Sequence, residues 1–197
     1  MKNTRFILAI DCETNDKPKD WQGREDDVDN WPRLVQCGMV LSDEDGRIVR
    51  RSEELIDGQG YWCIEPDAGD VHGIDQTNCD RWGMTIGSYI ENLSWFLEQA
   101  DIIVAHNMKF DWSVLLCESI RSRSRFYHYS AKRRCTMLLA KERLHLHGNH
   151  GHGPKLCELH QYLFGIEFEG AHSALADAEA CLRCYLKMMK EGFIDAT

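Results

Sequence analysis

A mixed central β-sheet flanked by helices, in one α/β domain covering residues 1–197, is the architecture expected from this chain. Three features carry that expectation. A short apolar run is followed by two strand-like runs joined by a turn signal. Helical and strand-like patterns then alternate. No linker, internal repeat or low-complexity tract interrupts them. At 197 residues, 43% of them hydrophobic, the chain can bury one substantial core.

The elements follow in order. RFILAI (5–10) reads as a short, largely buried strand. Residues 15–33 are polar, hold Trp21, Trp31 and Pro32 among many charges, and read as a long loop, a length that often carries function. VQCGMVLS (35–42) and RIVRRSEELI (47–56) are strand-like, and Asp43-Glu44-Asp45-Gly46 between them is a turn signal. The first three strands are therefore expected to form an antiparallel meander. IGSYIENLSWFLEQA (86–100) sets Ile86, Ile90, Leu93 and Leu97 on one helical side. ADIIVAHN (100–107) is a compact buried strand, and WSVLLCESI (112–120) continues as a helix. KLCELHQYLFG (155–165) predicts a short helix stopped by Gly165. SALADAEACLRCYLKMMKEG (173–192) predicts a long final helix with Ser173 as its N-cap and Gly192 near its stop.

No apolar stretch approaches a membrane span, and the opening MKNTRF lacks a signal-peptide apolar region. Nine cysteines without a framework pattern predict free thiols in a reducing, cytoplasmic setting. Cys181 and Cys184 form a C-x-x-C late in the final helix, where core packing is favoured over redox chemistry. The net charge of −9 argues at first against a polyanionic partner. Residues 119–141, however, hold seven Lys or Arg and no acid, with Phe126, Tyr127, His128 and Tyr129 among them. That mixture suits nucleic-acid backbones and unstacked bases, and equally a solvated helix end and loop.

The chemistry concentrates at the ends of ordered elements. In AIDCETN (9–15), alternation along a strand places Asp11 and Glu13 on one face and Cys12 on the other. Two such anions repel unless a cation or shared proton lies between them, or unless the strand simply ends in water. HNMKFD (106–111) places Asp111 at the start of a helix just after a buried strand. HSALAD (172–177) places His172 just outside the last helix and Asp177 in its second turn. Together these supply four carboxylates and one imidazole. Four converging acids demand cations, and hard oxygen ligands select Mg²⁺ or Mn²⁺. Two such ions can clamp the attacking and leaving oxygens of a phosphoryl displacement. An imidazole, with an unperturbed pKa of about 6.5, can take the proton of the attacking water. The predicted chemistry is metal-assisted phosphodiester hydrolysis.

Two other readings fit parts of the chain. Residues 144–160 hold His145, His147, His150, His152, Cys157 and His160, candidate zinc ligands whose spacing matches no familiar zinc module. A catalytically silent nucleic-acid-binding module of the same fold is the alternative of another class.

In this order, Asp-x-Glu on the first strand, Asp111, and His172 five positions before Asp177 resemble the DEDDh 3′–5′ exonucleases. That DnaQ-like proofreading group has an RNase H-like fold, and AIDCET, HGI (72–74), AHNMKFD and PKLCELHQYLFG agree with it. The resemblance covers nearly the whole chain. It implies that Asp11, Glu13, Asp111 and Asp177 bind two Mg²⁺ or Mn²⁺ and that His172 is the general base. It further implies substrate contacts from Cys12 to Thr14 and at His72, His106, Asn107 and Phe110. Cys12 departs from the usual Thr or Leu at a position pointing away from the metals. Residues 15–33, with DNWPR, look like a form seen in phage and bacterial members, whose Trp21 and Trp31 either stack on bases or pack. The implied activity is release of nucleoside monophosphates from the 3′ end of single-stranded or frayed DNA, with a short-RNA exoribonuclease as the alternative. The implied partners are that 3′ end and, as a further candidate, a DNA polymerase or replication complex.

Overall fold

The computed structural model describes residues 4–124, 131–148, 153–170 and 173–195. Strands β1 (Phe6–Thr14), β2 (Leu34–Asp43) and β3 (Ile48–Leu55) come first. Helices α1 (Pro66–His72), α2 (Gln76–Trp82) and α3 (Ile86–Gln99) follow, then β4 (Ile102–Ala105) and α4 (Met108–Arg121). The chain continues through β5 (Lys132–Cys135), α5 (Thr136–Arg143), α6 (Leu156–Phe164) and α7 (Ala174–Lys190). The strands form one sheet in the order β3-β2-β1-β4-β5. β1–β2 and β2–β3 are antiparallel, while β1–β4 and β4–β5 are parallel. This is the expected mixed sheet with an antiparallel first half.

β1 sits at the centre and separates two apolar layers by simple alternation. Leu8, Ile10 and Cys12 join Leu93, Phe96 and Trp112 in the layer beneath α3 and α4. Ile7 and Ala9 face the opposite way, against Ala178, Cys181, Leu182 and Tyr185 of α7. Continuing that second row past Ala9 leads to Asp11 and then Glu13, so the strand that packs α7 also aims both acids along it. Cys181 and Cys184 are buried in α7, and every cysteine is a free thiol.

The structure adds four elements to those read from sequence. α1 buries none of its residues and α2 buries one, so neither shows a strong apolar period. β5, Lys-Arg-Arg-Cys, is a strand because it pairs with β4, not because of its own pattern. α5 has only Thr136 and Ala140 buried. α4 begins at Met108, one turn before the predicted Trp112, so Asp111 stands in its first turn. Asp177 likewise occupies the first turn of α7, not the second. Among the described residues no helix is long and apolar enough to cross a membrane.

Candidate active site

Oxygen atoms of Asp11, Glu13 and Asp177 lie within 4.8 Å of one another. β1 supplies two of these acids at its C-terminal end, and α7 supplies the third from a rigid first turn, where the Asp177 amide donates to the Ser173 carbonyl at 2.9 Å. The contact depends on Gly38. It pairs with Asp11 across β1–β2, and a methyl there would stand 2.2 Å from the carbonyl carbon and oxygen of Ala174. Its bare backbone lets the amino end of α7 lie on the sheet beside Asp11. A glycine inside a strand is a legible sign of such close approach, and Gly38 is the functional position that the strand pattern of VQCGMVLS alone does not single out.

Asp111 arrives from the other layer. The β1–β4 ladder ends at the Ala9–Val104 pair, and beyond it the Cys12 amide donates to Asp111 Oδ1 at 2.9 Å. Asp111 is buried and its charge acts on Asp11. The four acids therefore meet at the carboxyl end of β1.

Their titration records the crowding. Burial pushes Asp11 well above the ordinary carboxylate range, reinforced by the charges of Asp111, Asp177 and Glu13. Burial, then Asp177, lifts Glu13 to about 7. Burial lifts Asp111 to about 7 against the opposing pull of the Cys12 amide. Several carboxylate oxygens at this spacing are a donor set that fits one or more hard divalent cations.

A profile of the RNase_T exonuclease family matches residues 8–185. The chain belongs to that exonuclease family. The family is metal-dependent, in keeping with the acidic cluster. A search of curated protein sequences found no match. Among solved structures, the exonuclease is similar to Escherichia coli exonuclease I in complex with a dT13 oligonucleotide, with a TM-score of 0.74 at 16% identity. It is similar also to the nuclease domain of 3′hExo, a DEDDh family member, bound to rAMP, with a TM-score of 0.75 at 14% identity. The first match covers 94% of this chain and 41% of exonuclease I; the second covers 97% and 94%. A third neighbour, a 3′-exonuclease recognising a histone mRNA stem-loop, has a TM-score of 0.73 at 15% identity over 98% of this chain and 84% of that one. These likenesses carry the RNase H-like fold.

Around the acids, the exonuclease places the remaining expected residues unevenly. Cys12 buries its side chain 3.8 Å from the Cys37 sulfur and 4.0 Å from the Asp111 carbonyl. The Thr14 hydroxyl donates to the Asp16 carbonyl at 2.8 Å. Asn107 is the N-cap residue of α4 without a capping side-chain bond. Phe110 stands 5.6 Å from the Trp21 ring and 6.2 Å from that of Trp31. His72 Nδ1 accepts from the Ile74 amide at 3.0 Å. Both nitrogens of His106 already face protein partners, the Thr136 hydroxyl at 3.0 Å and the Pro154 carbonyl at 2.9 Å. Burial then pushes its pKa down to about 4. Its ring ties the end of β4 to the first residue of α5 and to the segment before α6. His172 lies outside the described residues.

The long loop is locked in place by Asn15, Arg33, Glu118 and Arg121. Asn15, just past β1, bonds the Arg33 amide and carbonyl, the Cys63 carbonyl and the Glu65 amide. Buried Glu118 on α4 holds Arg33 and Arg121, and Arg121 also donates to the carbonyls of Val28, Trp31 and Pro32. Trp31 is a packing residue, 2% exposed, whereas Trp21 is 50% exposed on top of Phe110. The basic segment is thus partly spent on structure, since Arg133 also pairs with Glu25. Phe126 to Tyr129 lie outside the described residues, as do His150 and His152. The zinc alternative loses His160, which is buried between Phe164 and Phe168 with Nδ1 bonded to the Ile166 carbonyl. Among the described residues the acidic cluster is the one group arranged to hold a metal.

Proposed function

We propose that this exonuclease works in the 3′–5′ direction on single-stranded or frayed DNA, releasing nucleoside monophosphates. The observation that carries the reading is the meeting of Asp11, Glu13 and Asp177 within 4.8 Å, with Asp111 alongside. These four would hold two Mg²⁺ or Mn²⁺ ions. When bound, the ions polarise the scissile phosphate and offset charge on the attacking and leaving oxygens. His172 takes the proton from the attacking water.

The terminal nucleotide lies along the end of β1, against Thr14, Asn107 and Phe110, with His72 toward the terminal phosphodiester. Trp21 extends this surface: half-exposed and seated on Phe110, it offers a face on which a base can stack, an interaction worth about 1–3 kcal/mol. A strand-end substrate is supported by the dT13 complex of exonuclease I, and an RNA alternative by the rAMP complex of 3′hExo and the histone stem-loop enzyme. The reading assigns this domain to the cytoplasm, with a polymerase or replication complex as a further candidate partner.

Strands of DNA and RNA labelled at the 5′ end, digested with Mg²⁺, Mn²⁺ or a chelator, test this. The expected result is stepwise shortening of DNA from the 3′ end, stopped by the chelator. Faster shortening of RNA selects the exoribonuclease. Internal cuts, or digestion indifferent to the chelator, contradict the proposal.

A further inference from the structure

We propose that Glu53, on edge strand β3, is a positioning residue for the active site: its carboxylate holds the amino end of α7 on the sheet and so sets where Asp177 stands. The inference rests on the metal-site reading above.

The geometry is a consequence of register. Asp11 pairs with Gly38 across β1–β2, and Gly38 pairs with Glu53 across β2–β3. Asp11, Gly38 and Glu53 thus form one row across the sheet, and strand spacing puts the two acids about 10 Å apart at their backbones. The next row holds Glu13 and its partner Gln36. The amino end of α7 lies over these rows.

A helix begins with backbone N–H groups that have no partner inside it. In α7 the N-cap side chain does not meet this need. The Ser173 hydroxyl instead donates to Glu53 Oε1 at 2.9 Å, and the Leu175 amide donates to the same oxygen at 3.0 Å. Gln36 Oε1 takes the Ala174 amide at 3.4 Å. An anion here also complements the helix dipole. Two residues before Glu53, on the same face of β3, Arg51 pairs with Glu179, a second tie to α7.

Glu53 is exposed, so no demand of core packing explains an acid there. What it does fix is the one helical turn that presents Asp177 to Asp11 and Glu13. Metal ligand distances tolerate only about 0.2 Å, so a small drift of this turn is felt at the ions. Ser173, which Glu53 grips, is also the residue directly after His172.

The test uses the full chain and reads Mn²⁺ binding directly, by electron paramagnetic resonance, alongside digestion of a DNA strand. Glu53→Ala should raise the Mn²⁺ dissociation constant about tenfold, as losses of outer groups behind metal ligands do. The same variant should lower kcat while KM for the strand stays within about twofold. Glu53→Gln keeps an acceptor oxygen and should restore most of both, and Ser173→Ala should show a smaller version of the loss. A Glu53→Ala protein that melts earlier yet binds Mn²⁺ and turns over normally makes the residue merely structural and overturns the proposal. So does a Glu53→Gln protein as impaired as the alanine variant. Asp177→Asn separates this from the metal-site reading: if that variant binds Mn²⁺ normally, the reading itself fails. If it loses Mn²⁺ while Glu53→Ala does not, the positioning role alone fails.

Discussion

Asp11 and Glu13 are the residues at which strand chemistry becomes site chemistry. The alternation that buries Ile7 and Ala9 against α7 delivers two acids to the same side with no further instruction. Their crowding with Asp177 and Asp111 was legible because each sits at the end of an apolar element. Asp111 stands at the start of its helix as expected, whereas Asp177, fourth after the N-cap Ser173, falls in the first turn of α7 and not the second, a one-turn shift of the size that helix boundaries carry. His172 is assigned the proton transfer. His172→Ala should therefore lower kcat by about 10²–10⁴-fold while Mn²⁺ affinity is kept, measured by single-turnover digestion and direct metal titration. A loss of metal affinity of the same size would make it a ligand instead. His106, by contrast, shows what one motif cannot tell. The sequence offers a histidine beside Asn107, and the fold uses both of its nitrogens to hold the start of α5 and the segment before α6.

At the scale of elements, the site depends on α7 touching β2. Gly38→Ala places a methyl against backbone, which cannot swing aside as a side chain can. The variant should lose about 1–3 kcal/mol in a denaturant titration and bind Mn²⁺ more weakly, because α7 and Asp177 must move outward. Unchanged metal affinity would mean that Asp177 reaches the cluster without that contact. Helices α3, α6 and α7 were readable from period and stop signals, Gly165 entering the left-handed region as a C-cap at φ 73°. α1, α2 and β5 were not, because they take their form from neighbours and bury little themselves. The cation run around β5 illustrates the same limit. It reads as one basic surface, yet Arg121 and Arg133 are tied to the 15–33 loop through Glu118, Glu25 and backbone carbonyls. Arg123 and Lys132 are exposed. If they contact the strand, replacing both by Gln should reduce the log–log salt slope of single-strand binding by about 1.4. An unchanged slope places them off the nucleic-acid path.

For the whole molecule, the cluster couples folding, protons and metal. Glu13 and Asp111 titrate at about 7 when folded, against ordinary values of 4.5 and 3.8. Between those limits the folded protein holds protons that the unfolded chain releases, so stability falls as pH rises. The metal-free protein should melt at progressively lower temperature from about pH 5 to pH 7.5, and Mg²⁺ or Mn²⁺ added at pH 7.5 should reverse the loss. A metal-free melting temperature that rises across this range would contradict the burial of these acids. The net charge of −9 then becomes consistent with a nucleic-acid substrate, since divalent ions offset the acids where the strand must approach. The most direct test counts ions. Titrating the wild type with Mn²⁺ at pH 8, followed by electron paramagnetic resonance, should show two bound per chain, and Asp11→Asn should abolish at least one. Absence of saturable binding, or an Asp11→Asn protein that still binds two, would contradict the convergence of the four carboxylates on a shared pair of ions.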